Sequence, residues 1–189
     1  WKYQQYIACL DPLGEDRGKT PYALNPEQYG MFLTELFNLW YEDWKKGEQP
    51  YIRQFENYIG ILLGYQPESC EQRGSCGIQN VVEADGSVYP CDFYALDEYK
   101  LGNFNCNRLE EIDKKRKEIA FVEQSQIVAE NCKNCKFYKI CKGGCRRNKD
   151  FNAMNGEYEN YFCKSYRIFF DICLERMIQI VEIIKNQKG

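Results

Sequence analysis

The sequence predicts an α+β fold: a short strand and two helices, then a loop-rich, thiol-dense region containing a hairpin, then a long closing helix. Three observations carry this. Apolar residues recur at helical spacing in 27–46 and again in 158–185. Val81 to Tyr89 (VVEADGSVY) gives a hairpin signal, two β-prone arms joined by Asp85-Gly86. Cysteines crowd the stretch CKNCKFYKICKGGC, from Cys132 to Cys145, too densely for regular structure.

Taken in order, Tyr6 to Leu10 (YIACL) is a short apolar run stopped by Asp11-Pro12, the pattern of one buried strand. A loop rich in Gly, Pro and charge runs to Pro26. Glu27 to Lys46 carries Phe32, Leu33, Leu36, Phe37, Trp40 and Trp44 at helical spacing, and Gly47 and Pro50 end it. Ile52 to Leu63 predicts a second helix, closed by Gly64 and Pro67. Asn107 to Glu118 is a charged amphipathic helix. Tyr158 to Lys185 predicts the long closing helix, apolar at Phe162, Tyr166, Phe169, Phe170, Cys173, Ile180 and Ile184.

Composition bounds the chemistry. With 189 residues, 44% hydrophobic and 15% aromatic, the chain can bury a real core. A net charge of −3 favours neither nucleic acid nor an anionic membrane as partner. No apolar run approaches the ~20 residues of a membrane span, and no secretion signal opens the chain, so a cytoplasmic setting is expected. The first residue is Trp1 rather than methionine, which suggests a piece of a longer protein. Eleven cysteines without a signal peptide argue against a simple disulfide framework. The absence of histidine removes mixed Cys/His zinc sites, Ser–His–Asp triads and Cys–His nucleophiles together. Gly14 to Thr20 (GEDRGKT) resembles a phosphate-binding loop, but three residues rather than four separate its glycines and no helix starts promptly after it. A plain surface loop is the expectation.

Eight cysteines fall into a spacing pattern: Cys70-x5-Cys76-x14-Cys91, then Cys132-x2-Cys135-x5-Cys141-x3-Cys145-x17-Cys163. Two sets of four thiolates suit tetrahedral zinc or iron–sulfur cubes, and the residues leave these two open. Gly143 and Gly144 permit close backbone approach to sulfur. In two-cluster ferredoxins the last cysteine of such a run serves the other cluster. By that logic Cys145 joins Cys70, Cys76 and Cys91, and Cys163 completes Cys132, Cys135 and Cys141. The uncrossed set Cys132, Cys135, Cys141 and Cys145 competes. Lys133, Lys136, Lys139, Lys142, Arg146 and Arg147 surround these thiols, as a solvated basic edge or as compensation for cluster charge. Cys9 and Cys173 are expected as small core thiols and Cys106 as a loop residue.

This eight-cysteine spacing resembles the SPASM domain of radical S-adenosylmethionine enzymes. CGIQNVVEADGSVYPCDFY (Cys76 to Tyr94) and CKGGCRR (Cys141 to Arg147) resemble the anaerobic sulfatase-maturating enzymes in particular. IACLDP (Ile7 to Pro12) is similar to the last strand of their partial (β/α)6 barrel. The resemblance implies three parts: 1–66 as the C-terminal end of the barrel, 67–164 as the auxiliary-cluster domain, and 165–189 as the closing helix. It implies the crossed pairing, with one [4Fe-4S] cluster on Cys70, Cys76, Cys91 and Cys145 and another on Cys132, Cys135, Cys141 and Cys163. It also implies oxidation of a Cys or Ser in a sulfatase polypeptide to Cα-formylglycine, with flavodoxin or ferredoxin exchanging electrons.

The family's radical-generating cluster needs a Cys-x3-Cys-x2-Cys motif, and no such triplet occurs here. The chain is therefore expected to be the C-terminal half, inactive alone, with S-adenosylmethionine and a third cluster belonging to the intact enzyme. Asp92, directly after Cys91, matches the residue that takes the proton from the substrate side chain. A carboxylate beside an anionic cluster in a partly desolvated site is suited to a general base. A turn Asp bonding local N–H groups is the plainer role. Leu10 matches a position at the S-adenosylmethionine pocket, or is a core leucine. The competing functions are a SPASM maturase for a different peptide, a non-catalytic all-thiolate zinc module, and a free-standing ferredoxin-like carrier.

Overall fold

A computed structural model describes residues 1–187; the last two residues of the expected 165–189 segment lie outside them. Strand β1 (Tyr3–Gln4) pairs in parallel with β2 (Tyr51–Ile52). Between them runs α1 (Pro26–Lys46), started by an Asn25–Gln28 capping box with Pro26 in its first turn. Gly47, at φ 75°, ends it in the left-handed conformation. Helix α2 (Arg53–Leu62) follows β2 without a break.

Helix α3 is a single turn (Cys70–Arg73). Strands β3 (Val81–Val82), β4 (Ser87–Tyr89) and β5 (Gly102–Asn103) form an antiparallel sheet in the order β3-β4-β5. Helix α4 (Leu109–Glu118) and the short α5 (Phe121–Ser125), α6 (Glu130–Lys133) and α7 (Tyr138–Cys141) carry the chain through the cysteine-dense stretch. A hairpin of β6 (Lys149–Asn152) and β7 (Glu157–Asn160) leads into α8 (Cys163–Asn186).

Helix α8 buries Tyr166, Phe169, Phe170, Cys173, Met177 and Ile180, a stripe at three- and four-residue spacing. It lies against α1 and α2, where Phe37, Phe55 and Phe169 are each 0% exposed. Phe37 meets Phe55 edge-on at 5.2 Å between centroids and Phe169 at 5.9 Å. Phe137 and Ile140 from the cysteine-dense stretch belong to the same core. Two satellites, Val88/Leu101/Ile112 and Cys91/Tyr94/Phe121, seat the small sheet on α4 and α5. Among the described residues no helix is long and apolar enough to cross a membrane.

Three expectations are corrected. The apolar run Tyr6–Leu10 is not a strand. Its neighbour β2 turns into α2 at Arg53, so the backbone of Tyr6 meets the amide of Gln54 instead of a partner strand. Alternate residues of the run face solvent, which leaves Cys9 exposed rather than in the core; Cys173 is buried. The closing helix begins at Cys163, because residues 149–160 form the hairpin. Of the barrel end implied for 1–66, the described residues hold the β1–β2 pair and the helices, with no closed barrel.

The GEDRGKT loop has an internal occupant. Asp11, 1% exposed, accepts hydrogen bonds from the N–H of Gly18 at 2.6 Å and the N–H of Thr20 at 2.8 Å. The Thr20 hydroxyl donates at 2.7 Å and is the main cause holding the Asp11 carboxyl down at about 2. The donors that would cradle a phosphate are thus spent on a carboxylate of the same loop. Asp11 contributes stability that is present above the ordinary carboxylate value of ~3.9 and lost as the pH falls through its own. Denaturant titrations should show wild-type stability declining between about pH 4 and pH 2. Asp11→Asn should be less stable at neutral pH and flatter over that window; equal slopes would remove Asp11 from the acid response.

Candidate metal centres

Cys70 opens α3, and Gly74 closes it at φ 71°. A β-carbon on Gly74 would overlap the carbonyl oxygen of Lys142, so only glycine lets α3 sit on the turn before Cys145. Gly144, at φ 70°, packs equally tightly on the Asn160 amide, whose Nδ2 donates to the Gly143 carbonyl at 2.9 Å. The backbone N–H of Cys76 donates to Ser125 Oγ at 2.8 Å. Cys91 is buried, and its thiol donates to Asp92 Oδ1 at 3.2 Å. Cys145 Sγ accepts from the Arg147 N–H at 3.4 Å.

Cys132, Cys135, Cys141 and Cys163 line one cavity of about 320 Å³, together with Phe137 and Tyr166 among others. Cys145 is not among its lining residues. Hairpin β6–β7 makes this possible by delivering Cys163 to the cavity at the first turn of α8.

Electrostatics draws the same division. Burial pushes the Cys141 thiol up to about 12, and the neighbouring charges it feels are Cys132, Cys163 and Cys135. Burial likewise pushes Cys145 to about 12, but its thiol neighbours are Cys70 and Cys76, with the Glu71 carboxylate adding to them. Cys91, raised by burial to about 12, feels Cys76. The cavity thus gathers Cys132, Cys135, Cys141 and Cys163, while Cys145 is neighboured by Cys70 and Cys76 and Cys91 by Cys76. A metal centre binding such thiols must displace their protons.

Among the described residues no three His, Cys, Asp or Glu side chains converge closely enough to hold a single metal ion. Zn–S bonds of ~2.3 Å would draw four sulfurs to within about 3.8 Å of one another. All-thiolate sets of this kind serve tetrahedral zinc and iron–sulfur cubes alike.

The basic residues divide. Lys133 pairs with Glu130 at 3.0 Å and Lys136 with Asp171 at 2.6 Å, all on exposed side chains. The cations that the thiol groups do feel are Arg146, Arg147, Lys149 and Arg167. Sequence reading missed Lys149, Arg167 and Ser125, since none stands in a motif. Asp92 begins a 3-10 turn (Asp92–Tyr94) and is exposed, not partly desolvated as expected. Leu10 is half-buried against the aromatic core.

Residues 70–136 match the model of the SPASM family, an iron–sulfur cluster-binding domain. Over nearly its whole length the chain is related to the C-terminal half of the anaerobic sulfatase-maturating enzymes. It is 44% identical over 185 residues to the cysteine-type anaerobic sulfatase-maturating enzyme of Clostridium perfringens (strain 13), a match covering 98% of this chain and 50% of that one. A serine-type anaerobic sulfatase-maturating enzyme from Bacteroides thetaiotaomicron is 32% identical over 179 residues, covering 93% and 42%. The solved structure of native anSMEcpe with bound AdoMet and Kp18Cys peptide superimposes with a TM-score of 0.87 at 43% identity, over 96% of this chain and 50% of that one. The chain spans about half the length of these relatives.

Proposed function

We propose that this chain is the auxiliary-cluster half of an anaerobic sulfatase maturase, an enzyme oxidising a Cys or Ser of a sulfatase peptide to Cα-formylglycine. The observation that carries it is the pair of four-thiol groups, on a chain similar from end to end to half of such enzymes. Residues 1–66 end the catalytic barrel, with Leu10 at the edge of an S-adenosylmethionine pocket; 67–164 hold the clusters; and 165–189 close the fold. One [4Fe-4S] cluster takes Cys70, Cys76, Cys91 and Cys145, and the other Cys132, Cys135, Cys141 and Cys163. Both groups fit this use: each is all-thiolate, and each takes at least one backbone or basic donor near sulfur.

When bound, the clusters supply a one-electron acceptor for the electron left after hydrogen abstraction at the substrate Cβ. Asp92 takes the proton of the substrate thiol or hydroxyl. The engine, S-adenosylmethionine with a third cluster, belongs to the other half, so this chain alone is inactive. An electron carrier such as flavodoxin or ferredoxin would be the partner that takes the electron onward from this half.

The match of residues 70–136 to an iron–sulfur cluster-binding family model favours this over the zinc module. Anaerobic purification, with iron, acid-labile sulfide and zinc measured per chain, tests it. About eight irons with matching sulfide on a brown protein is the expected result. About two zincs on a colourless protein that reconstitution cannot turn brown would overturn it.

A further inference from the structure

Lys149 stands where the two thiol groups meet. It follows Cys145 through the 3-10 turn Arg146–Asn148 and opens β6, in register with Asn160 of β7. Asn160 lines the cavity of Cys132, Cys135, Cys141 and Cys163. The Lys149 ammonium turns the other way, donating to the carbonyls of Ser125 at 3.1 Å and Ile127 at 3.5 Å. Ser125, 2% exposed, is the residue whose hydroxyl holds the Cys76 N–H. Lys149 thus adjoins both sites: its backbone pairs with a residue lining one, and its ammonium bonds the loop whose Ser125 holds Cys76 of the other. Among the described residues no carboxylate pairs with it.

The charges around the thiols form a simple layout. Arg146 acts on Cys76, and its guanidinium lies 4.4 Å over the Phe121 ring beside that group. Arg167 acts on Cys163 and Cys135. Lys149 acts on both groups: burial pushes its ammonium down, while Cys132, Cys76 and Cys145 pull it up. A half-buried cation with no carboxylate partner is costly unless an anion offsets it. Here the groups it faces are thiols of two different centres, which become anionic when a metal displaces their protons.

We infer that Lys149 is a positioning charge shared by two iron–sulfur sites, raising the reduction potential of both and so easing entry of an electron into this half. The inference rests on the two-cluster reading above. The physical reason is direct. Reducing a four-thiolate cluster adds one negative charge to an already anionic group, and a nearby cation stabilises the reduced form more than the oxidised one. Arg146 and Arg167, each beside one group, set the two potentials separately. Lys149 moves them together. The step concerned is the one-electron reduction of this half. The substrate radical supplies the electron, a one-electron carrier protein removes it, and no bond forms or breaks in this chain.

The test is an anaerobic spectroelectrochemical titration, read by electron paramagnetic resonance, of the reconstituted chain. Lys149→Met should lower both midpoints, a shift of about tenfold in each reduction equilibrium or ~59 mV for one electron. Lys149→Gln, neutral but still able to donate to the Ser125 carbonyl, should do the same if the methionine variant binds iron poorly. Lys149→Arg should leave both midpoints close to wild type. Arg167→Met should lower one midpoint and so identify the Cys132 site. With wild-type iron content, a neutral variant that moves neither midpoint, or only one, overturns the shared role and leaves the two-cluster reading standing. A wild-type chain that cannot bind iron overturns both.

Discussion

Formylglycine formation in a full-length maturase carrying this half is expected to fall about 10²- to 10⁴-fold on Asp92→Asn, the range that proton transfer by a positioned side chain contributes. Asn keeps the shape and hydrogen-bonding reach of Asp but cannot take a proton. The carboxylate is exposed, and its bond inside the chain comes from the Cys91 thiol at 3.2 Å. A metal bound at Cys91 would take the place of that thiol proton, leaving Asp92 Oδ1 free to accept another. Because the side chain is exposed, the substitution should alter stability by less than ~0.5 kcal/mol. Product peptide measured by mass spectrometry, together with iron per chain, separates the two effects. Lost product at full iron is the expected pair; normal product at full iron would take Asp92 out of the mechanism.

Elements set by local chemistry were legible in the sequence. Helix α1 has its cap at Asn25, its stop at Gly47 and an apolar stripe between, and the structure returns it within a residue. The Asp85-Gly86 hairpin is equally local. Residues 149–160 were harder. Asn155-Gly156 marks a turn, yet Tyr158, Tyr161 and Phe162 continue the apolar spacing of α8 backwards, and the helical period hid the strand. The Tyr6–Leu10 run failed for the opposite reason. Its β propensity is real, but the partner that would make it a strand turns into α2 after two residues.

The thiols show where spacing stops being informative. A Cys-x2-Cys pair says that two sulfurs can reach one centre, but where Cys145 goes depends on contacts far apart in the chain. Those contacts are Gly74 on the Lys142 carbonyl, Gly144 on Asn160, and a hairpin that brings Cys163 round to Cys132. Ser125 and Lys149 acquire roles only through the same packing, which no linear motif encodes.

Iron counting across paired cysteine variants should resolve the pairing, because ligands of one cluster fail together and ligands of different clusters fail additively. Cys145→Ala and Cys163→Ala should each remove about four of the about eight irons expected for two cubes. Combined, they should remove nearly all of them, since Cys145 lies with Cys70 and Cys76 while Cys163 lies in the cavity of Cys132, Cys135 and Cys141. Cys70→Ala with Cys145→Ala should instead cost no more iron than either alone. The uncrossed alternative reverses two comparisons: Cys70→Ala with Cys145→Ala would cost both clusters, and Cys141 and Cys145 would share a centre, so their double variant would keep about four irons. The crossed assignment predicts that this double variant loses both clusters, in line with the different thiol neighbours of Cys141 and Cys145. Four irons retained in Cys141→Ala/Cys145→Ala would therefore reject the crossed assignment, whatever the single variants do.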